Sequence, residues 1–528
     1  MKSKLSQNWS LPASWLRFLV IVLLVLGVFF RFYNLDRKVY WHDEVYTSFR
    51  IAGYTWGELA PQVFNGKVIN AEDLQKYQRP SSQKGLIDTV KSLEIDDPQH
   101  PPLYYLMGRL WVQMFGYCVT VIRSLSACIS LLVFPCLYWL CLELFGASLI
   151  GWVAIALVTI SPVHVLYAQE AREYVLWTVT ILLSSAALLQ AMRLQTRLSW
   201  GIYTATLAVG FYSFLFTGLV AIGHGIYVVA IEGFPWSKTV KAYLLASLAG
   251  LVAIAPWLFV VMNNWLTFQR TTGWMETIKL PQIILIKTWG LHLTRPFIDF
   301  DLSFDHPFTS LVPPIFLIFV AYSIYILCRQ TPKQIWLFIL ALIGTTAIPL
   351  MLPDLILGGV RSTSTRYLIP CFLGIQLAVA YLLATQITNA NLLKQKFWQV
   401  ITAVLISAGV VSCAISSQSQ TNSWIKVVSY HLPQVATIIN QKNQPLLISN
   451  GFGINVGNVF ALSYLLKPTV KLQLVFGSNI PQIPKEVSDV FLLSPSDNLK
   501  QGIEKKYKSK IEPVFGDEYL SLMRLAPE

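Results

Sequence analysis

Apolar positions in this chain fall in long unbroken runs, not in the alternation of half-buried strands. Eleven runs approach the ~20 residues that a helix needs to cross the hydrocarbon of a bilayer. They cover roughly 15–32, 119–145, 148–167, 170–192, 199–217, 218–232, 241–262, 308–328, 334–352, 367–388 and 397–415. The first, Leu16 to Phe30, could be taken for a signal peptide. It has no small-residue cleavage site and continues into Arg31, Phe32 and Tyr33, so it reads as an uncleaved span. A twelfth run, Pro101 to Tyr117, is 17 residues long and carries Arg109. Charge bias decides its status. With eleven spans, Lys2, Lys4, Arg193, Arg197, Lys238, Lys241, Arg329, Lys333, Lys394 and Lys396 all fall on the cytoplasmic side, in keeping with the positive-inside bias. A twelfth span would invert everything after residue 117. Residues 101–117 are therefore expected to form a helix that lies in the outer interface or re-enters it.

The same topology puts 33–100, 263–307 and 353–366 outside, together with a polar tail from 416. In that tail Pro445–Ser449, Val470–Val475, Val490–Leu493 and Tyr519–Met523 read as strands. Ile425–Ile439, Val456–Leu466 and Leu499–Tyr507 read as helices between them. The loop from Asn450 to Gly457 follows a strand and opens a helix, yet it lacks the glycine spacing of a dinucleotide turn, so its glycines read as turn residues. The expected fold class is a polytopic α-helical membrane protein of about eleven spans with a C-terminal extracytoplasmic α/β domain. Its parts are a multispanning domain at 1–415, with an outer loop 33–100 and an interfacial helix near 101–117, and a small domain at 416–528. The N-terminus is expected in the cytoplasm, and the protein in the cell membrane as a multi-pass chain.

Composition narrows the classes. Charged residues make up 13% of the 528 residues and hydrophobic ones 54%. That excludes a disordered chain, a soluble nucleic-acid binder and a small disulfide scaffold. The net charge of +13 is then explained by cytoplasmic flanks, with no nucleic acid as partner. The seven cysteines sit in or beside apolar runs, where they read as small buried thiols.

Four polar clusters fall at the expected outer membrane face. Tyr40-Trp41-His42-Asp43-Glu44 places two adjacent carboxylates close to an apolar core, among aromatic residues of the kind that wall sugar sites. A partly desolvated Asp43 would pair with a cation or accept a proton; the plain alternative is a solvated corner with Asp43 as a helix cap. Asp96 to Tyr105 holds His100 just before Pro101 and Pro102, which can start a helix. His100 could support an anion at that helix start, or ligate a metal with Asp97 or Asp43; a proline-stiffened turn is the structural reading. Tyr167 to Tyr174 brings Glu170 and Arg172 to the membrane edge, where Arg172 could snorkel, pair with Glu170 or grip a phosphate with two donors. Arg361 to Tyr367 puts two cations on the side that the positive-inside bias disfavours, as a parked lipid phosphate would explain. The 263–307 loop adds His292, Arg295, Asp299, Asp301, Asp305 and His306 as material for a lid, without a reason to choose among them. A carboxylate base, aromatic walls and several cations suit the transfer of a sugar off a lipid phosphate, whose growing charge cations would stabilise.

The motifs Trp41-His-Asp-Glu44, His100-Pro-Pro-Leu103, Tyr167-Ala-Gln-Glu-Ala-Arg172 and Arg366-Tyr-Leu-Ile-Pro370 resemble those of the GT-C membrane glycosyltransferases. The branch is the family 39-like group, kin to protein O-mannosyltransferases and lipid A aminoarabinose transferases. The resemblance covers roughly residues 10–415. It implies an inverting hexosyl or pentosyl transferase with a polyprenyl-phosphate sugar as donor, embedded in membrane lipid, and a glycan, lipid or protein as acceptor. It implies Asp43 and Glu44 as the catalytic carboxylates, and His100, Arg172, Arg366 and Tyr367 as donor-phosphate contacts. Tyr40, Trp41, Tyr104, Tyr167 and Glu170 are the candidates to line the substrate. One departure stands out: many relatives carry an acidic residue before the proline pair motif, where this chain has Gln99. No motif demands a cofactor, and a divalent cation is the one candidate, with its need put in question by Gln99.

A lipid or solute transporter is the rival class. It predicts an inverted repeat and charges at mid-membrane depth. No repeat is visible, and ionisable residues gather near span ends apart from His224, which reads as an interior histidine before a proton relay. A non-catalytic scaffold with a polymer-binding tail is the third class, and removal of 416–528 would separate it from an enzyme.

Overall fold

The computed structural model describes residues 14–233, 236–422, 424–477 and 479–526, so the cytoplasmic assignment of Lys2 and Lys4 lies outside the described residues. The chain forms two compact units. One gathers Met1–Tyr33, Asp97–Tyr104 and Arg123–Ser417; the other gathers Asn34–Asp96, Tyr105–Ile122 and Gln418–Glu528.

The first unit is helical, and every one of the eleven apolar runs is helix. Among the described residues eight helices are long and apolar enough to cross a membrane, or nine if one bent pair counts as a span. The runs expected at 199–217 and 218–232 form Arg197–Ser213 and Thr217–Glu232, of 17 and 16 residues. At 1.5 Å per residue these rise only about 25 Å. Burial sorts the helices into centre and rim. The apolar windows of Tyr174–Leu194 and Thr365–Gln386 are 83% and 89% buried, whereas those of Lys238–Asn263, Phe308–Gln330 and Leu392–Gln418 are 28% buried. The rim helices turn Leu245, Val252, Leu317, Ile318 and Val404 outward. Helices apolar on every face belong in lipid.

The run expected as one span at 148–167 is instead broken. Ser148–Thr159 and Pro162–Ala168 meet at 64°. Pro162 disfavours the helical conformation at the residue before it, and Ser161 is extended, with φ −72° and ψ 118°. The break frees carbonyls that a bilayer interior cannot hydrate. Arg31 covers two of them: Nη1 donates to Thr159 O at 2.7 Å and Nη2 to Val158 O at 3.2 Å, while Nη1 also reaches Gly27 O of its own helix at 2.9 Å. Cys413 Sγ donates to Ile160 O at 3.2 Å. A Cβ on Gly27 would stand 2.7 Å from Thr159 O, so glycine is required for the approach. Arg31→Leu is expected to lower stability by roughly 2–4 kcal/mol, the cost of orphaned buried carbonyls. Thermal denaturation in detergent measures it, and an unchanged midpoint would mean the carbonyls find other donors.

The second unit is built on a six-stranded sheet of order β1-β3-β2-β4-β6-β5, with β1 Asn65–Asn70, β2 Pro445–Asn450, β3 Lys471–Val475, β4 Asp489–Leu493, β5 Ile511–Gly516 and β6 Ser521–Leu525. β3, β2 and β4 run parallel. The outer pairings are antiparallel. β2 is buried along its whole length, as a central parallel strand covered on both faces should be. Leu446, Ile448 and Leu492 pack with Leu499 and Ile503 of the Asp497–Tyr507 helix. The four expected strands are present. β1 and β5 are additional, and β1 comes from the first polar loop, where Lys471 Nζ reaches Asn70 Oδ1 at 2.7 Å.

Leu103–Phe115 is a helix of 13 residues, about 20 Å long and shorter than a bilayer core of about 30 Å. Its Arg109 is fully buried and donates to Ile51 O at 2.9 Å and to Lys84 O. Arg50 bonds Asp96 at 2.7 Å and Tyr54 O at 2.8 Å. These arginines tie the first-loop helices together through backbone carbonyls.

Candidate active site

In the second unit the chain turns at Trp41, φ −98° and ψ 174°, and enters the His42–Ala52 helix. Asp43 stands in its first turn, partly exposed, and Glu44 beside it is fully buried. Glu44 Oε2 accepts the Trp41 N–H at 3.4 Å and pairs with Lys426 Nζ at 3.0 Å. Lys426 in turn stands 5.3 Å over the Trp41 ring. Tyr40 bonds Ser48, Ser48 reaches Tyr117 at 3.1 Å, and Tyr117 reaches Tyr464 at 3.1 Å. Burial, then Tyr117 and Glu44, raise the Tyr40 hydroxyl well above its ordinary range. Tyr40 is therefore a neutral hydrogen-bonding group beside the carboxylate.

In the first unit the cluster forms around the turn before Tyr174–Leu194. Arg172 N–H bonds Glu170 O at 2.8 Å, closing the turn. Arg172 Nη2 lies 3.1 Å from Tyr174 Oη, 3.4 Å from Glu173 Oε1 and 3.4 Å from His100 Nε2. His100 Nδ1 is 2.9 Å from the same Glu173 oxygen. A guanidinium only donates, so His100 Nε2 accepts and its proton sits on Nδ1, facing Glu173. Burial opposes ionisation of Glu173, but Arg172 and His100 outweigh it and hold the carboxyl down at about 2. A group depressed from the ordinary 4.5 adds stability that is present above that value and lost as pH falls through the folded value. Acid unfolding is therefore expected to begin below about pH 4.5 and to be shallower in Glu173→Gln, as denaturation midpoints from pH 5 to 2 would read.

Arg366 stands 5.5 Å over the Tyr174 ring and 5.4 Å over Tyr367. Tyr367 packs at 6.0 Å on Phe214 and 5.1 Å on Phe216. Tyr167 meets Tyr174 edge-on at 5.7 Å, and Glu170, Arg366 and Arg295 lie within its electrostatic range. Tyr104 is fully buried behind this turn: its hydroxyl reaches Ser126 Oγ at 2.7 Å, which bonds Arg172 O at 3.5 Å. Arg361 is paired with Asp354 at 2.9 Å and Glu276 at 3.1 Å.

The structure brings His100, Arg172, Arg366, Tyr367, Tyr167 and Glu170 into one neighbourhood of the first unit. Asp43, Glu44, Tyr40 and Trp41 belong to the second. Sequence reasoning passed over Glu173, although it adjoins Arg172, and could not choose within 263–307. The structure chooses there. His292 Nε2 donates to Ser362 O at 3.2 Å, so its Nδ1 accepts from Arg295 Nη1 at 2.7 Å. Burial and then Arg295 push His292 well below the usual imidazole range. A neutral His292 of fixed tautomer thus holds Arg295.

Gln99 Nε2 bonds Asp97 at 3.1 Å, and Gln99 Oε1 accepts from Thr271 at 2.8 Å. Trp257 Nε1 donates to Pro98 O at 3.2 Å. These bonds fix the segment that carries His100. No group of three or more His, Cys, Asp or Glu side chains able to hold a metal occurs among the described residues. His100, with one ring nitrogen on Glu173 and the other facing a guanidinium, does not suit a second cation.

The architecture is the GT-C fold of membrane glycosyltransferases, and the chain is a multi-pass membrane protein. It is similar to ArnT from Cupriavidus metallidurans bound to undecaprenyl phosphate, with a TM-score of 0.53 and 12% identity over 98% of this chain and 100% of that one. The apo state of the same protein gives a TM-score of 0.53 and 12% identity over 97% and 99%. AglB from Archaeoglobus fulgidus, in complex with an inhibitory peptide and a dolichol-phosphate, gives 0.47 and 11% over 86% and 64%. Residues 99–259 match the family model described as dolichyl-phosphate-mannose-protein mannosyltransferase. The expected kinship is borne out by the ArnT match in fold and by the family model, which spans the His100 and Tyr167 motifs. No curated protein sequence matches the chain.

Proposed function

We propose that this protein transfers a hexosyl or pentosyl group, with inversion, from a polyprenyl-phosphate carrier to an acceptor hydroxyl on the non-cytoplasmic face. The observation that carries the reading is the gathering of two guanidinium groups, Arg172 and Arg366, over Tyr174 at the end of a membrane helix, with Arg295 Nη1 3.5 Å from Thr365 Oγ1, the residue beside Arg366. Cations in a partly desolvated site suit one lipid-linked phosphate. That the similar ArnT is bound to undecaprenyl phosphate supports a carrier of this kind. The transporter reading is set aside: the fold is a glycosyltransferase fold, and His224 sits between Ser185 at 3.2 Å and Tyr203 at 3.1 Å as a satisfied interior histidine.

In this reading Asp43 takes the proton of the acceptor hydroxyl. The hydroxyl oxygen bonds the anomeric carbon as the bond from that carbon to the phosphate oxygen breaks. The electron pair leaves on polyprenyl phosphate, whose charge Arg172, Arg366 and Tyr367 stabilise; His100, the sequence's other candidate phosphate contact, acts through Arg172, which it holds at 3.4 Å. Arg295 adds a cation to that set. Glu44, buried on Lys426, orients Asp43 and does not meet the acceptor. Tyr40, Trp41, Tyr167 and Glu170 line the sugar and acceptor, and Tyr104 supports Arg172 from behind. The N-terminus is cytoplasmic, while 33–100, the helix near 101–117 and the domain at 416–528 form the outer part. Purified protein incubated with labelled polyprenyl-phosphate hexoses and pentoses should consume one donor and release polyprenyl phosphate. Consumption of none would end the proposal.

A further inference from the structure

The start of the Asp43 helix is held by residues from the far end of the chain. Lys426 is fully buried, and its Nζ lies 3.0 Å from the equally buried Glu44 carboxylate. Ser429 Oγ accepts the His42 N–H at 3.1 Å and itself donates to Asn458 Oδ1 at 2.7 Å. Asn458 returns a bond to Val428 O at 2.8 Å. A Cβ on Gly457 would collide with the His42 ring, so glycine is what lets the Asn455–Leu462 helix come so close. Upstream, Val39 N–H bonds Gln420 O at 2.7 Å and Arg37 Nε bonds Gln418 O at 2.6 Å. All of these residues belong to the second unit.

A buried ion pair is a poor way to gain stability, because desolvation of both charges offsets most of their attraction. Well-packed apolar residues of similar volume would serve as well. What the pair does supply is a fixed direction: with Trp41 N–H and Lys426 Nζ on one carboxylate oxygen, the first helical turn has one orientation. We propose that Lys426 is a positioning residue for sugar transfer, acting through Glu44 to aim Asp43. The C-terminal segment is then part of the catalytic apparatus, not an appendage. This inference rests on the transfer reading above.

The test compares the full-length wild type with Lys426→Met, Lys426→Arg and the double variant Glu44→Gln/Lys426→Met. Lys426→Met is expected to lower kcat by about 10²-fold, the effect of a misplacement of order 1 Å, at a KM within about threefold. Lys426→Arg should recover most of that loss. The double variant removes both charges; it should regain the wild-type melting temperature yet keep the low kcat. Full kcat in the double variant, or a Lys426→Met protein whose folded fraction turns over normally, would overturn the proposal. Amide exchange across residues 42–52 reads the coupling without any substrate: it should rise in Lys426→Met and not in Lys426→Arg. If the wild type consumes no donor, the transfer reading fails, while the exchange data still report whether Lys426 holds this helix.

Discussion

Asp43→Asn is expected to lower kcat for sugar transfer by about 10²–10⁴-fold, the range lost with a general base, at an unchanged melting temperature. The amide keeps the size of the side chain and cannot take the acceptor proton. The fold should tolerate it, because Asp43 is partly exposed and the buried ion pair is made by its neighbour. Glu44→Gln is the contrasting variant. It leaves the Lys426 ammonium buried without its countercharge, which costs about 3–5 kcal/mol. The two adjacent carboxylates should thus separate cleanly, one by turnover and the other by stability. Wild-type turnover in Asp43→Asn would remove the proposed base.

The second large effect is expected at Arg172. Arg172→Ala should reduce turnover by about 10²–10³-fold, as loss of a charge-stabilising donor does, and should weaken binding of sugar-free polyprenyl phosphate. It also strips Glu173 of its main countercharge, so the comparison must be made on folded protein, with Arg172→Ala/Glu173→Gln as the control. Arg172→Lys should recover little. One nitrogen, Nη2, faces Tyr174 Oη, Glu173 and His100 Nε2 at 3.1, 3.4 and 3.4 Å while the guanidinium plane stands 5.4 Å over the Tyr174 ring, and an ammonium cannot reproduce both. If both single variants bind polyprenyl phosphate as the wild type does, Arg172 is a structural residue.

The helical framework was legible because a run of apolar residues needs no partner to declare itself. Each of the eleven runs is helical, although 119–145 and 148–167 are each made of two helices. What hid inside them was the break at Ser161: Pro162 signalled it, but continuous hydropathy from 148 to 167 masked it. The strands of the tail were legible by the same local rule. β1, Asn-Gly-Lys-Val-Ile-Asn, is short and half polar, and β5 carries Pro513; each is a strand because a neighbouring edge accepts it. At the site, residues in compact motifs could be named, since His100 and Arg172 each sit in a recognisable string. Glu173 was not chosen, because its role comes from His100, 73 residues away. Lys426 had no local signal at all. A lysine in a polar tail looks like solvated surface until Glu44 is seen beside it.

β1 and β3 are ladder partners, and the residues that join them through Lys471 and Asn70 are 401 positions apart. A ribosome makes the first of these strands long before the second. Closing so large a loop adds little entropy beyond a shorter one, but it fixes an order of events. Every hydrophobic helix between them must enter the bilayer before the sheet can be completed, so the sheet-bearing unit matures last. Translation that stops within the bundle would release an unmatched sheet edge, the kind of exposed template that seeds aggregation.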